Sequence, residues 1–166
     1  MISIRRLTAD DWREWRRLRR DALREAPSAF RATLAEWSGA GDTELRWRRR
    51  LESVPVNLLA DWDGVPVGMV SLTAVEGQDA EIISMWIAPK ARGQGVGDAL
   101  IRAVLGHARA EGALSVALDV TAGNERAIQL YTRAGFIDVG WATGPADPKP
   151  ERRMRLHLAA PPRPLA

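Results

Sequence analysis

Apolar residues recur along the chain at two spacings, and the switches between them mark out its elements. Ile2–Leu7 alternates apolar with polar, the period of a short strand. From Trp12 the spacing lengthens, and Trp12, Trp15, Leu18, Ala22 and Leu23 fall on one helical stripe. Thr8 caps that helix and Asp11, three residues on, completes a capping box. Pro27 ends it near Ala26, because the residue before a proline is kept out of helical geometry. The following stretch is irregular until Asp42 or Thr43 opens a second short helix that ends near Glu52.

From Val56 the period becomes that of strands, predicted over 56–62, 65–75 and 80–88. Asp63-Gly64 is a two-residue hairpin signal, and Glu76–Asp79 turns between the second and third strands. Val96, Leu100, Val104 and Ala108 then recur every four residues, with Ile101 and Leu105 beside them, as one amphipathic helix stopped by Gly112. Leu114–Val120 reads as a buried strand. Asn124 caps a helix carrying Ala127, Ile128, Leu130, Tyr131 and Ala134, closed by Gly135. Strands over 136–142 and 153–158, joined by a proline-rich loop, complete the order β-α-α-β-β-β-α-β-α-β-β. This predicts a single α/β domain over 1–158, with antiparallel hairpins feeding a strand-helix-strand crossover and a frayed tail at 159–166.

Composition narrows the classes of function. The 166 residues are 46% hydrophobic and 27% charged, as in an ordinary globular domain. No apolar run reaches the length of a membrane span, and the first residues lack the apolar core of a signal peptide, so a cytoplasmic protein is expected. Cysteine is absent, which excludes disulfides and thiolate chemistry. Only His107, in mid-helix, and His157, on an edge-type strand, carry imidazole, so no metal site is expected. Net charge is +3 with a pI near 10.1, and the cations are almost all arginine. They are scattered among apolar residues in WREWRRLRRDALRE, RWRRRLE and ERRMRLHL, which reads as solvated helix and strand faces rather than a nucleic-acid surface. Modest basicity suits an anionic ligand. Arginine in place of lysine and abundant alanine suggest a GC-rich bacterial genome.

The chemistry concentrates in WIAPKARGQGVGDAL, where Gly93, Gly95 and Gly97 alternate before an amphipathic helix. A bare backbone at a helix N-terminus binds phosphate, because the first amides lack intrahelical partners and the dipole is positive there. The P-loop pattern fails for want of a lysine after its last glycine. The dinucleotide pattern fails because Asp98 or Leu100 stands where its third glycine belongs.

What fits is R-x-x-G-x-G at Arg92, Gly95 and Gly97, followed one strand later by NERAIQLYTRAGF, Asn124–Phe136. In these two motifs, in this order, the chain resembles the GNAT superfamily of N-acetyltransferases, whose patterns are Q/R-x-x-G-x-G/A and N-x-x-A-x-x-L-Y-x-x-x-G-F. The resemblance covers Glu81 to Phe136 closely, the first strand and helix loosely, and residues 26–55 only in general pattern.

The resemblance implies a mixed, mostly antiparallel sheet with a splayed parallel strand pair, flanked by about four helices. It implies acetyl-CoA as co-substrate, lying where strands 80–88 and 114–120 part. The diphosphate would rest on the amides of Arg92, Gly93, Gln94, Gly95, Val96 and Gly97, and the pantetheine arm on Met85, Trp86 and Ile87. Asn124, Ala127 and Tyr131 would line the far wall, and Lys90 or Arg126 would meet the 3′-phosphate. Tyr131, the only tyrosine in the chain, occupies the position that protonates the leaving thiolate. The amide near Ile87 would polarise the thioester carbonyl.

Loss of a proton from the attacking ammonium needs a base. Glu81, Asp119 or a water relay through Ser84 are the alternatives. By strand period, Asp119 falls opposite the core face of its strand, and Glu81 shares a face with Ile83, Met85 and Ile87. Phe30, Trp37, Trp47 and Trp86 are candidates for an aromatic wall around the acceptor. The expected acceptor is the primary amine of a small molecule. A protein N-terminus or lysine is the alternative, and a non-catalytic acyl-CoA sensor is the alternative from another class. The proline-rich loop at 143–151 permits a homodimer by exchange of C-terminal strands, as in some members of the superfamily.

Overall fold

In the computed structural model, which describes residues 1–159, the chain forms a seven-stranded sheet with four helices on its two faces. The strands are β1 (Ile2–Arg6), β2 (Val56–Trp62), β3 (Val65–Leu72), β4 (Asp79–Ile87), β5 (Ser115–Thr121), β6 (Ile137–Trp141) and β7 (Glu151–His157), in the spatial order β1-β2-β3-β4-β5-β7-β6. The helices are α1 (Trp12–Glu25), α2 (Glu44–Ser53), α3 (Val96–Ala110) and α4 (Glu125–Arg133). Every neighbouring pair of strands is antiparallel except β4 and β5. Of the expected tail, residues 160–166 lie outside the described residues.

The local signals act as their chemistry dictates. Thr8 and Asp11 form the reciprocal capping box, although on a single 3-10 turn, Ala9–Asp11, that leads into α1. Thr43 caps α2 by accepting from the Arg46 amide, and Asn124 caps α4 by accepting from the Ala127 amide. Asp63 and Gly64 both take positive φ, the mirror-image turn that matches the twist of the hairpin joining β2 and β3. Two boundaries differ from expectation. β3 stops at Leu72 because Thr73 turns its side chain into the ladder, its hydroxyl accepting from the Glu81 amide at 2.9 Å. β7 starts two residues earlier than predicted, at Glu151, whose carbonyl accepts from the Ala142 amide at 2.9 Å.

Each face of the sheet has its own core. On one, α3 and α4 bury Val96, Leu100, Val104, Ala108 and Leu130 against Val56, Leu58, Val70 and Val116. On the other, α1 and α2 bury Trp15, Leu18, Trp47 and Leu51 against Leu59, Met69 and Trp86. Full burial of such side chains stabilises by roughly 1.5–3 kcal/mol each. The sheet itself therefore separates the two layers, except where it opens.

Candidate active site

The opening lies between β4 and β5. They pair only at Asp79–Ser115, Ala80–Val116 and Glu81–Ala117; beyond these residues β4 runs on to Ile87 and β5 to Thr121 without pairing to each other. The cause is a bulge in β4. Met69 faces Trp86 and Ser71 faces Ile83, so Ser84 and Met85 together oppose Val70. Ser84 takes φ +55°, an uncommon conformation for a residue with a Cβ. The Arg50 guanidinium donates to the Ser84 hydroxyl at 3.1 Å.

The inserted residue also reverses the strand's phase. Ile82, Met85 and Ile87 pack in the α3 layer while Trp86 packs in the α1 layer. This corrects the reading that Glu81 shares a face with Met85 and Ile87. Uninterrupted alternation does not survive a bulge.

Two cavities meet at the opening. The larger, about 1100 Å3, is lined by Glu25, Met85, Trp86, Ile87, the turn at Arg92–Asp98, and the start of α4. The smaller, about 430 Å3, lies toward α1, α2 and β7. Phe30, Met85, Asn124, Ala127 and Tyr131 line both.

The glycine turn builds the floor of the larger cavity. Gly93 and Gly95 take φ +75° and +84°, which turns the chain directly into α3 with Gly95 as N-cap and no capping side chain. The amides from Gly93 to Asp98 have no hydrogen-bond partner among the described residues. Such a run at a helix N-terminus is an anion site by construction. Arg92 differs from the expectation: its amide is spent on the Pro89 carbonyl at 3.2 Å. Gly97 has a separate reason to be bare. A Cβ there would stand 3.0 Å from Leu130 Cδ2 and 3.3 Å from Ile87 Cδ1, so the glycine lets α3 approach α4 and β4 closely.

The Arg92 side chain fixes the turn. It donates to the Ile87 carbonyl at 3.1 Å and to both carboxylate oxygens of Glu25, at 3.1 and 2.7 Å. Glu25 also accepts from Trp86 Nε1 at 3.0 Å. These charged hydrogen bonds, with Arg92 foremost, hold the Glu25 carboxyl below its ordinary range. Glu25 thus ties the end of α1, the tip of β4 and the glycine turn together.

Tyr131 stands at the junction of the cavities, 6% exposed, with its ring edge-on to Phe136 at 6.0 Å between centroids. Burial pushes its hydroxyl further above the ordinary phenol value, so it is a proton donor at neutral pH. Among the described residues its hydroxyl makes no hydrogen bond within the protein.

The smaller cavity is walled by side chains. Trp15, Arg19, Phe30, Trp37, Trp47, Arg50, Ser84, Glu81, Asp119 and Glu151 all line it. Trp37 stacks on Trp47 at 4.3 Å, with the Arg46 guanidinium 3.9 Å above the Trp37 ring. Glu81 and Asp119 converge on Arg153 of β7. That guanidinium forks onto both Asp119 oxygens at 2.8 and 3.0 Å, and reaches one oxygen of Glu81 at 3.2 Å. Across the mouth, the segment after α1 is laced to β5, to the first residue of β7 and to the loop before it. Arg31 pairs with Asp147 and Glu151, Lys149 donates to the Pro27 and Phe30 carbonyls, and Thr121 donates to the Ser28 carbonyl.

Met85, Trp86, Ile87, Arg92, Gly93, Gly95, Gly97, Asn124, Ala127 and Tyr131 are thus brought together around the larger cavity. Gln94 is exposed and the Val96 side chain is core, and neither residue lines the cavity. Arg126 lines the larger cavity; Lys90 does not. Of the aromatic candidates, Phe30, Trp37 and Trp47 line the smaller cavity, while Trp86 lines only the larger.

One expectation is overturned. Arg19 and Arg50 are not on solvated faces: both line the smaller cavity, and Arg19 is only 9% exposed. The signal was their phase. Arg19 follows Trp15 by four residues and Arg50 follows Trp47 by three, which puts each cation on an apolar stripe. Glu25 and Arg153 were also missed; their role depends on contacts distant in sequence.

With this geometry in view, the comparisons with known proteins are direct. Residues 7–136 match the family described as Acetyltransferase (GNAT) family, and the chain belongs to that family. It is 34% identical over 138 residues to a mycothiol acetyltransferase of Clavibacter michiganensis, covering 82% of this chain and 43% of that protein. The chain therefore spans less than half the length of that curated relative. Its fold superimposes on an acetyltransferase of the GNAT family from Streptococcus pneumoniae with a TM-score of 0.79 at 19% identity, over 96% of this chain and all of the other. A spermidine N-acetyltransferase from Vibrio cholerae, solved with CoA and spermine, gives a TM-score of 0.75 at 22% identity over 94% and 95% of the two chains. Among the described residues no helix is long and apolar enough to cross a membrane, and no group of histidine and acidic side chains is placed to hold a metal.

Proposed function

We propose that this chain transfers the acetyl group of acetyl-CoA directly to a primary amine of a small molecule. The observation that carries the reading is the run of unpartnered amides from Gly93 to Asp98, opening onto a large cavity where β4 and β5 part. Those amides and the positive end of α3 would hold the diphosphate. The unpaired edge of β4 from Met85 to Ile87 would take the extended arm of the cofactor as an added strand. Acetyl-CoA supplies an activated acyl carbon and a thiolate leaving group.

The protein's own part is to place the amine, take its proton and return one to sulfur. The Tyr131 hydroxyl, protonated and without a partner at the junction, is the donor to the leaving sulfur. Glu81 is the favoured proton acceptor, acting through solvent in the smaller cavity. One of its oxygens is uncommitted, whereas both oxygens of Asp119 are held by Arg153. The ammonium loses one proton to solvent by way of Glu81 before it attacks. A second leaves the nitrogen by the same route as the amide forms, and the Tyr131 proton goes to sulfur as the C–S bond breaks. Exchange with solvent restores both groups.

The side-chain walls of the smaller cavity support a small acceptor over a peptide. Residues 27–31 are tied to β5 and to the loop before β7, which narrows the approach for a polypeptide. The test is a panel of small amines and peptides assayed for release of free CoA. Turnover with small amines is the expected result. Turnover confined to peptides would overturn the acceptor class, and no acetyl-CoA binding would overturn the reading itself.

A further inference from the structure

Of the arginines of α1 and α2, Arg19 and Arg50 are those that line the smaller cavity. On α1, Arg16 and Arg20 share the Asp42 carboxylate; on α2, Arg48 pairs with Glu44 and Asp10. Among the described residues, neither Arg19 nor Arg50 has a carboxylate within ion-pair distance. Arg50 is partly buried and donates only to neutral oxygens, Asn57 Oδ1 at 3.1 Å, Ser71 Oγ at 3.2 Å and Ser84 Oγ at 3.1 Å. Arg19, nine-tenths buried, makes no side-chain hydrogen bond, and its Nη1 is a buried donor without a partner. Each is instead stacked on an aromatic ring: Arg19 on Phe30 at 4.5 Å and Arg50 on Trp15 at 5.1 Å.

A buried cation without a counter-charge is destabilising, and two of one sign side by side more so. Burial pushes both guanidinia down to about 10, with the charge of Arg50 adding to the effect on Arg19. Both nonetheless remain cationic at neutral pH. The protein surrounds the pair with ring faces and hydroxyls and omits the anion. The pair comes from α1 and α2. The carboxylates that line the same cavity, Glu81, Asp119 and Glu151, come from β4, β5 and β7, where Arg153 holds the first two and Arg31 the third.

We propose that the missing anion belongs to the acceptor: a small primary amine that also carries an oxyanion, carboxylate or phosphate, seated on Arg19 and Arg50. Planar guanidinium forks match both groups. One oxygen of Glu81 is uncommitted in the same cavity, so such a molecule is oriented with its oxyanion on the arginine pair and its ammonium toward Glu81. A polyamine would bring its second cation against the arginine pair. This inference rests on the acetyltransferase reading only for the identity of the cavity; the anion site can be tested without it.

The experiment uses amines in matched sets: glutamate and β-alanine against their amides, O-phosphoethanolamine against ethanolamine, and spermidine as the cationic case. Binding is measured by titration calorimetry without acetyl-CoA, and transfer by release of free CoA. The oxyanion amines are expected to bind, and where transfer occurs to exceed their neutral partners in kcat/KM by roughly ten- to a hundredfold. Whether the carboxylate or the phosphate set leads identifies the group. Arg19→Met, which keeps the packed stem, is expected to abolish the preference while its unliganded Tm stays level or rises. A purely structural arginine would lower Tm and leave the preference intact. Arg50→Lys tests the second cation with its charge retained, and partial recovery of the preference is the expected result. Oxyanion amines that bind neither protein, or both equally, overturn the site. Transfer to neutral and cationic amines equal to that with the oxyanion amines would overturn it while leaving the acetyltransferase reading in place.

Discussion

The larger cavity presents a stretch of bare main chain, and the smaller one is walled by side chains. On the larger, the binding groups are the amides of Gly93 to Asp98 and the unpaired edge of β4. On the smaller, they are three arginines, three carboxylates and a set of aromatic rings. Main-chain groups are the same whatever the sequence, so a site made from them suits a ligand that does not change, and needs only glycines to bare it. Side-chain walls can be rewritten residue by residue, which suits the half of a reaction that differs from one enzyme to another. Tyr131 stands on the seam and belongs to neither.

The sharpest way to break this contrast is to put a side chain where the main chain does the binding. Gly95→Glu places bulk and negative charge on the amide run, and the rise in Tm produced by acetyl-CoA should vanish. An undiminished rise would mean that the diphosphate rests elsewhere. Gly95→Ala is the control for backbone strain, since its Cβ would have only Ile2 Cδ1 nearby, at 3.9 Å. At a positive φ it should cost about 1–2 kcal/mol of stability yet leave a measurable rise.

Next in size is the seam. Tyr131→Phe keeps the packing against Phe136 and removes only the hydroxyl, so turnover should fall about a hundredfold with acetyl-CoA affinity little changed. Initial rates across pH read this, and wild-type rates throughout would strip Tyr131 of the role of acid.

The smallest effect is expected at Glu25→Gln, which loosens the anchor of the glycine turn. This partly exposed ion pair should contribute at most about 1 kcal/mol at neutral pH. Arg92 holds the folded-state value of Glu25 below its ordinary 4.5, so the contribution is complete above that value and is lost as pH falls through the lowered one. Urea unfolding of both proteins from about pH 6 to about pH 3 should show the stability gap closing. A gap constant across that range would show that the pair is not what stabilises the turn.

What could be read in advance follows the same division. The strands, helices and caps were legible because each depends on residues a few positions apart: Thr8 with Asp11, Asn124 with Ala127, Asp63 with Gly64. The glycine turn was legible for the same reason. The smaller cavity was not, because its members come from α1, α2, β4, β5 and β7 and meet only in the folded chain. Arg153 shows this well: nothing in ERRMRLHL marks which arginine will reach Asp119 and Glu81. The β4 bulge was hidden for another reason. Ser84 has no residue signature for its positive φ; the strain is imposed by the register with β3. The arginines on the apolar stripes were visible in phase but were taken as surface, because scattered cations usually are.

The break in β4 has one more consequence. Because its phase reverses at Ser84, one strand shows successive residues to two compartments that meet along a shared wall, which includes Phe30, Met85, Asn124, Ala127 and Tyr131. Donor and acceptor can therefore be resident together without either lying across the other's way out. That coexistence is the condition for the one-step hand-over proposed above.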